Sequence, residues 1–331
     1  MTAVLTRTDD LDRTGWLQAR RQGIGGSDAA AILGLDPFKT PLGVYYDKRG
    51  ELPDDDAGEA AAWGNRLEPM VADAAQDRIN EERDAQGLGP VKVRRRNAIL
   101  QHPDRPWMLA NVDREVFGHE QGVGLLEVKT TGYWAAKSWE DDPDPDGPTL
   151  PDRYHVQLQH YLAVTGRQHG WVAVLIGGQR LLVEHVDRDD ELIDALLQVE
   201  ETFWRRVEAG DPPPAGASDD ELTKQLHQTV RPSTPVVLPA EARDLVEERQ
   251  AAKAAESAAA DRRKQAEARL RQLIGDADEA YLPGDDRPVF TYRQVTQERF
   301  DAKAFAEAHP QLANEFKKDS THRRFNFKKE A

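Results

Sequence analysis

The stretch Asn111-Val-Asp113-Arg-Glu115, followed by Gly124-Leu-Leu-Glu127-Val-Lys129, decides the reading of this chain. An acidic residue at the end of one strand precedes a Glu-x-Lys on a second. The two-residue period of a strand places Glu127 and Lys129 on one face. If the two strands pair as a hairpin, Asp113 comes beside them, and two carboxylates and an ammonium converge on one point. Carboxylates suit hard, oxygen-seeking Mg²⁺ or Mn²⁺, which keep several waters for reaction. Such an ion orients and acidifies an attacking water and neutralises charge building on a phosphate. Lys129 can position that water or stabilise a pentavalent transition state. Asp…Glu-x-Lys recurs by chance, and exposed strands carry Glu and Lys as a solvated face. Here Leu125, Leu126 and Val128 are apolar, so the two charges belong to a largely buried strand, where charge is costly without a purpose.

Working outward, short runs bounded by Gly, Pro or Asp predict strands over 91–96, 98–101, 108–112 and 124–129. Before them lie short helices over 28–33 and 40–48, the first with Ser27 as its expected N-cap, and a long helix over 60–83. After them come a helix over 154–164, a hairpin of 171–176 and 180–186 around Gly177-Gly178, and a helix carrying Leu192, Leu196, Val199, Phe203 and Val207 on one stripe. Asp211-Pro-Pro-Pro-Ala-Gly marks a boundary. Beyond it the sequence predicts a helix over 240–274 with a half-made heptad seam, a strand over 289–295, two short helices split by Pro310, and a basic strand over 323–329.

Three more constellations accompany the acidic pair. Glu68, within Gly64-Asn-Arg-Leu-Glu68-Pro69, puts a carboxylate on a helix; alone it reads as a surface residue. Gln157 and Tyr161 lie four apart on one helical face, with Tyr154 a turn earlier; alone they read equally as a half-buried polar face. Arg20 and Gly25-Gly26-Ser27 offer a guanidinium, a hydroxyl and backbone N–H groups at a helix start, the chemistry of a phosphate cradle, or simply a glycine turn with a cap.

In order, these pieces resemble the YqaJ-type viral recombinases, relatives of the phage lambda exonuclease in the PD-(D/E)xK nuclease superfamily. The matching residues are Trp16, Arg20, Gly23-Ile-Gly-Gly-Ser27-Asp-Ala-Ala-Ala-Ile-Leu-Gly34, Gly64–Pro69, Asn111-Val-Asp113, Glu127-Val-Lys129 and Tyr154-His-Val-Gln157-Leu-Gln159-His-Tyr161 through Gly166. They span about residues 12 to 210. Val112 stands where many superfamily members carry proline.

The resemblance implies an α/β, restriction-endonuclease-like core (1–210) with a central mixed β-sheet flanked by helices. A Pro-rich linker (211–239) would join it to an appendage (240–331) of a long helix and a small α/β piece. It implies Glu68, Asp113, Glu127 and the Val128 carbonyl as ligands of Mg²⁺ (Mn²⁺ possible), with Lys129 catalytic and Gln157 and Tyr161 flanking. Arg20, Gly26, Ser27 and Tyr154 would contact DNA or its 5′-phosphate. The implied activity is exonucleolytic digestion of linear double-stranded DNA, 5′→3′, leaving 3′ single strands for an annealing protein, by a homo-oligomer resembling the toroidal trimers of relatives. Two alternatives stand: an endonuclease of the same chemistry, and a non-catalytic DNA-end-binding protein.

Composition bounds the rest. The chain has 331 residues and no cysteine, which excludes a disulfide framework, a thiolate zinc site, a Cys-ligated iron–sulfur cluster and a cysteine nucleophile. No apolar run is long enough for a membrane span and the start is polar, so a soluble, cytoplasmic protein without membrane partners is expected. The net charge of −15 argues at first against nucleic acid. However, acidity concentrates in 51–59, 140–152 and 184–201, which leaves the basic run Lys92-Val-Arg94-Arg95-Arg96 and the tail to meet DNA. The tail interleaves Phe325 and Phe327 with Arg324 and Lys328, either a DNA-binding wing or an amphipathic strand. The nine histidines show no zinc-type spacing, and His155 and His160 read as polar helix residues. The tryptophans default to core, with Trp134 and Trp139 as candidates to stack on a base.

Overall fold

Two compact units, 1–227 and 228–331, make up the protein. Its structure, a computed structural model, describes residues 3–9, 11–52, 58–133, 150–227, 235–318 and 323–327. The first unit begins with β1 (Ala3–Arg7), α1 (Arg13–Arg21), α2 (Gly26–Ile32), α3 (Pro41–Lys48) and α4 (Gly58–Ala85). Strands β2 (Lys92–Arg95), β3 (Ala98–Gln101), β4 (Leu109–Ala110), β5 (Arg114–His119) and β6 (Gly122–Thr131) follow. The unit closes with α5 (Asp152–Thr165), β7 (His169–Ile176), β8 (Arg180–Asp187), α6 (Asp190–Ala209) and α7 (Asp220–Leu226).

A five-stranded mixed sheet of order β2-β5-β6-β7-β8 forms the centre. All its pairs are antiparallel except β6 with β7, which run parallel, so the chain must cross over through α5 to return. Helix α4 lays Val71, Ala72, Ala75 and Ile79 against Leu126, Val128, Trp171 and Ala173 on one face. On the other face, Leu158, Tyr161 and Leu162 of α5 pack with Leu125, Val172 and Val174. The unbroken burial of β6 from Gly124 to Val128 explains its near-continuous apolar sequence: both faces are covered. Helix α6 then buries Leu196, Phe203 and Val207 of the expected stripe against α2 and α5, whereas Val199 is exposed and Ile193 is buried instead. A second sheet, β1-β3-β4, lies beside these layers.

The fold class stands as expected, and several local readings are corrected. Strand β5 lay hidden in a charged stretch, where Arg114 is buried through ion pairing. Strand β1, which pairs with β3 about ninety residues on, had no local signal. The strand expected over 108–112 shrinks to Leu109–Ala110. Ser27 is not the N-cap. Gly25 holds that place, and Ser27 is the second residue of α2. Trp63 is exposed under the Arg66 guanidinium, not core. Helix α7 forms within the stretch expected to be linker and belongs to the first unit, where Asp219 accepts a hydrogen bond from the Thr40 hydroxyl.

The second unit holds α8 (Ala242–Ile274), a short β9–β10 pair (Glu279–Ala280 with Phe290–Thr291), α9 (Ala302–Ala308) and α10 (Pro310–Glu315). No residue of α8 is buried, in keeping with its incomplete seam. The strand expected over 289–295 is reduced to two paired residues. That expected over 323–329 is irregular over 323–327, where it finds no partner edge among the described residues. Phe325 and Phe327 do stack, at 5.9 Å, and Arg249 covers Phe327. Trp134, Trp139, Lys328 and most of the acidic segment 140–152 lie outside the described residues.

Candidate active site

Strand β6 delivers Glu127 and Lys129 to the face covered by α5, and the chain entering β5 delivers Asp113. The three groups do converge, but not through the expected pairing: β4 pairs with β3 in the second sheet, and it is β5, starting just after Asp113, that pairs antiparallel with β6. The Val128 N–H donates to Asp113 Oδ2 at 2.9 Å, which fixes the aspartate against the strand that carries its partners. Lys129 Nζ donates to Glu127 Oε1 at 2.7 Å, and Gln157 Nε2 donates to the same oxygen at 2.5 Å. Gln157 Nε2 also reaches the Tyr161 hydroxyl at 3.3 Å. The i, i+4 spacing on α5 puts Gln157 and Tyr161 on one face, with Gln157 on Glu127 and the Tyr161 hydroxyl on Gln157.

One carboxylate oxygen is left over. Glu127 Oε2 is buried without a hydrogen-bond partner among the described residues, an arrangement that costs free energy unless a cation completes it. Asp113 is affected likewise: burial, and then the neighbouring Glu127 charge, push its carboxyl up to about 8, against the opposing pull of Lys129. Burial works against charge on Lys129, yet Glu127 and Asp113 outweigh it and hold the ammonium above the usual lysine value. Burial, with the same two acids, also raises the Tyr161 phenol well above its ordinary range. The site holds two clustered carboxylates and one ammonium, with its acceptor oxygens under-supplied with donors. That donor set fits a hard divalent cation.

Glu68 does not line the cavity that these groups share. Its Oε1 accepts from Arg114, which also donates to the Asp113 carbonyl at 2.8 Å, and its charge helps to raise Asp113. Arg114 escaped the sequence reading, although its place directly after Asp113 in a buried strand was a usable signal. Pro69 follows Glu68 inside α4 and cannot donate to the Asn65 carbonyl, so the helix is one hydrogen bond short where the glutamate leaves it.

The glycine cluster lies across the same cavity, of about 160 Å³, which is lined by Arg20, Gly25 and Ser27 as well as Asp113, Glu127, Lys129, Gln157 and Tyr161. Arg20 Nη2 donates to Ser27 Oγ at 3.2 Å, and its guanidinium stacks 4.8 Å over Trp16. Gly26 has a steric role: a Cβ there would stand 2.7 Å from the Tyr161 ring and 2.8 Å from Gln157 Cγ. Only glycine lets α2 touch α5 this closely. Tyr154 lies outside the lining, with its ring 5.3 Å from Lys129 Nζ and 4.6 Å from the Arg153 guanidinium. His160 is structural: its ring nitrogens meet Glu200 Oε1 at 2.8 Å and the Leu109 carbonyl at 3.0 Å. Asp28, quoted in the motif but given no role, is fully buried and paired with Lys48 at 2.6 Å and Lys39 at 3.0 Å. The basic run 92–95 forms the edge strand of the central sheet.

Residues 15–168 match the YqaJ-like viral recombinase domain, a span that takes in every residue just described at the cavity. The Bacillus subtilis protein YqaJ is 34% identical over 98% of this chain and 97% of its own length. Among solved structures, an alkaline exonuclease from Laribacter hongkongensis is 21% identical, over 59% of this chain and 93% of that one, with a TM-score of 0.44. A phage-related exonuclease from Haemophilus somnus is 12% identical, over 56% and 94% of the two chains, with a TM-score of 0.37. The motif-bearing domain match and the end-to-end identity place the chain in the YqaJ-like viral recombinase family.

Proposed function

We propose that this protein is a divalent-metal-dependent exonuclease that hydrolyses phosphodiester bonds from the ends of linear double-stranded DNA. The direction proposed is 5′→3′, leaving 3′ single strands for an annealing protein. One observation carries the reading: a single cavity joins an under-satisfied carboxylate pair and its lysine to a guanidinium–hydroxyl cradle suited to a terminal phosphate. Asp113, Glu127 and the Val128 carbonyl, with Glu68, would hold Mg²⁺ or Mn²⁺. When bound, such an ion supplies Lewis-acid stabilisation of the phosphate and lowers the pKa of water.

The chain's own groups divide the remaining work. Lys129, held protonated, offers N–H donors to charge developing on the non-bridging oxygens as water adds to phosphorus and the P–O bond to the leaving sugar breaks. Gln157 keeps Glu127 oriented by its short hydrogen bond. Arg20, braced on Trp16, and Ser27 at the start of α2 would grip the 5′-phosphate, with Gly26 contributing its N–H.

The test is digestion of 5′-phosphorylated linear duplex and of covalently closed circular DNA, with Mg²⁺ and with EDTA. Loss of the linear form in Mg²⁺ alone, with circles intact, is expected. Efficient cutting of circles would replace the exonuclease with an endonuclease, and unchanged digestion by Lys129→Ala would remove the assigned site.

A further inference from the structure

The opposite face of the central sheet carries a second cluster. Strand β5 ends on His119, β7 begins on His169, and β8 carries His185. One ring nitrogen from each lies within 4.8 Å of the others. Sheet register brings them together: His119 stands opposite Gly122, and His169 opposite Asp187 two residues along from the Trp171–His185 pair. These side chains share the Trp171 face, which packs under α4, whereas Glu127 faces α5.

The position of His169 is built. It is fully buried, and a Cβ on Gly124 would come within 2.5 Å of its Cε1, so the neighbouring strand gives up a side chain to seat the ring. Its Nε2 lies 3.3 Å from the Gly122 carbonyl, which requires that nitrogen to carry the proton. The lone pair is then on Nδ1, which is buried and has no hydrogen-bond partner among the described residues. An imidazole donating one nitrogen to a backbone carbonyl while presenting the other is the arrangement of a metal-ligating histidine. Partial desolvation against the sheet lowers the pKa of His119 and His185, and burial lowers that of His169 to about 4. A plain aromatic stack around Trp171 would leave Nδ1 of His169 unexplained.

We propose that His119, His169 and His185 form a binding site for a Zn²⁺-type transition-metal ion, distinct from the carboxylate cavity on the other face. Imidazole nitrogens select such ions over Mg²⁺, and three of them leave a fourth position for water. The ion would clasp the end of β5 to the β7–β8 hairpin, fifty residues further along the chain, and so act on the stability of the sheet.

The test uses the full chain without a polyhistidine tag, stripped with EDTA and titrated with Zn²⁺ by calorimetry, beside His185→Gln and His119→Gln. His185 is exposed, so its replacement leaves the core intact. The wild type should bind one more equivalent of Zn²⁺ than either variant and show a zinc-dependent rise in Tm that both variants lose. Co²⁺ should give a tetrahedral visible spectrum in the wild type alone. Equal stoichiometry and equal Tm shifts in all three proteins would overturn the proposal.

Discussion

Asp28 and Asp113 are carboxylates drawn into the same unit of the protein, and their surroundings push them in opposite directions. Asp28 Oδ1 accepts from Lys39 at 3.0 Å, and Oδ2 accepts from Lys48 and from the Gly25 N–H at 3.1 Å. Burial alone would raise its pKa, yet Lys48, Lys39 and Arg20 hold it well below the carboxylate range. Asp113 shares one ammonium with Glu127, accepts one backbone N–H, and is pushed up to about 8. The first carboxylate is complete within the protein and fixes the base of the glycine loop. The second is incomplete, and the missing charge is what the proposed cation would supply. A buried acid with all its donors supplied reads as structure, and one left short reads as a binding site.

Substitutions test that contrast. The largest effect is expected from Glu127→Gln, which should slow Mg²⁺-dependent digestion of linear duplex at least ~10³-fold, about 4 kcal/mol of barrier, without lowering Tm. Retained activity would mean the orphaned oxygen is not a ligand. Asp28→Asn should act in the opposite sense. It strands Lys48 as an unpaired buried charge and should cost about 3–5 kcal/mol in urea unfolding; a loss under about 1 kcal/mol would show the knot to be dispensable. Gly26→Ala links the two regions, since its Cβ would press on Tyr161 and Gln157. Overpacking of about 1–3 kcal/mol is expected, with a fall in activity as Gln157 shifts.

The smallest effect is the most diagnostic. A carboxyl whose folded pKa lies above its unfolded value of about 3.9 binds an extra proton in the folded state, so stability falls as pH rises from about 4 to about 8. In EDTA, Asp113→Asn should therefore stabilise the fold, on the order of 1 kcal/mol at pH 9, with no gain near pH 4. A stability loss at pH 9 would place Asp113 with Asp28, as a satisfied structural acid.

The two regions also differed in how far the sequence disclosed them. Glu127, Lys129, Gln157 and Tyr161 were legible because strand and helix periods project them onto one face, and each period is local. The stripe of α6 was legible for the same reason. Arg114 and β5 were not, because a strand opening with Asp-Arg-Glu reads as a loop until Glu68, forty-six residues earlier, is there to pair with the arginine. Asp28 was quoted but given no role, since its partners Lys39 and Lys48 are brought to it by the turn of α3, not by spacing. The histidine cluster is the extreme case: its members are scattered over β5, β7 and β8, and only sheet register joins them.

The parallel pairing of β6 with β7 also bears on assembly. Lys129 sits on a strand whose neighbour, running from Leu125–Gly170 to Thr131–Ile176, is made only after α5 has crossed the sheet. A chain leaving the ribosome thus exposes the whole Asp113-to-Lys129 motif some forty-five residues before the strand that completes it. Non-local closure of this kind is slow compared with helix formation. Fragments ending before β7 keep Asp113, Glu127, Lys129, Gln157 and Tyr161 but lack the strand against which β6 is paired.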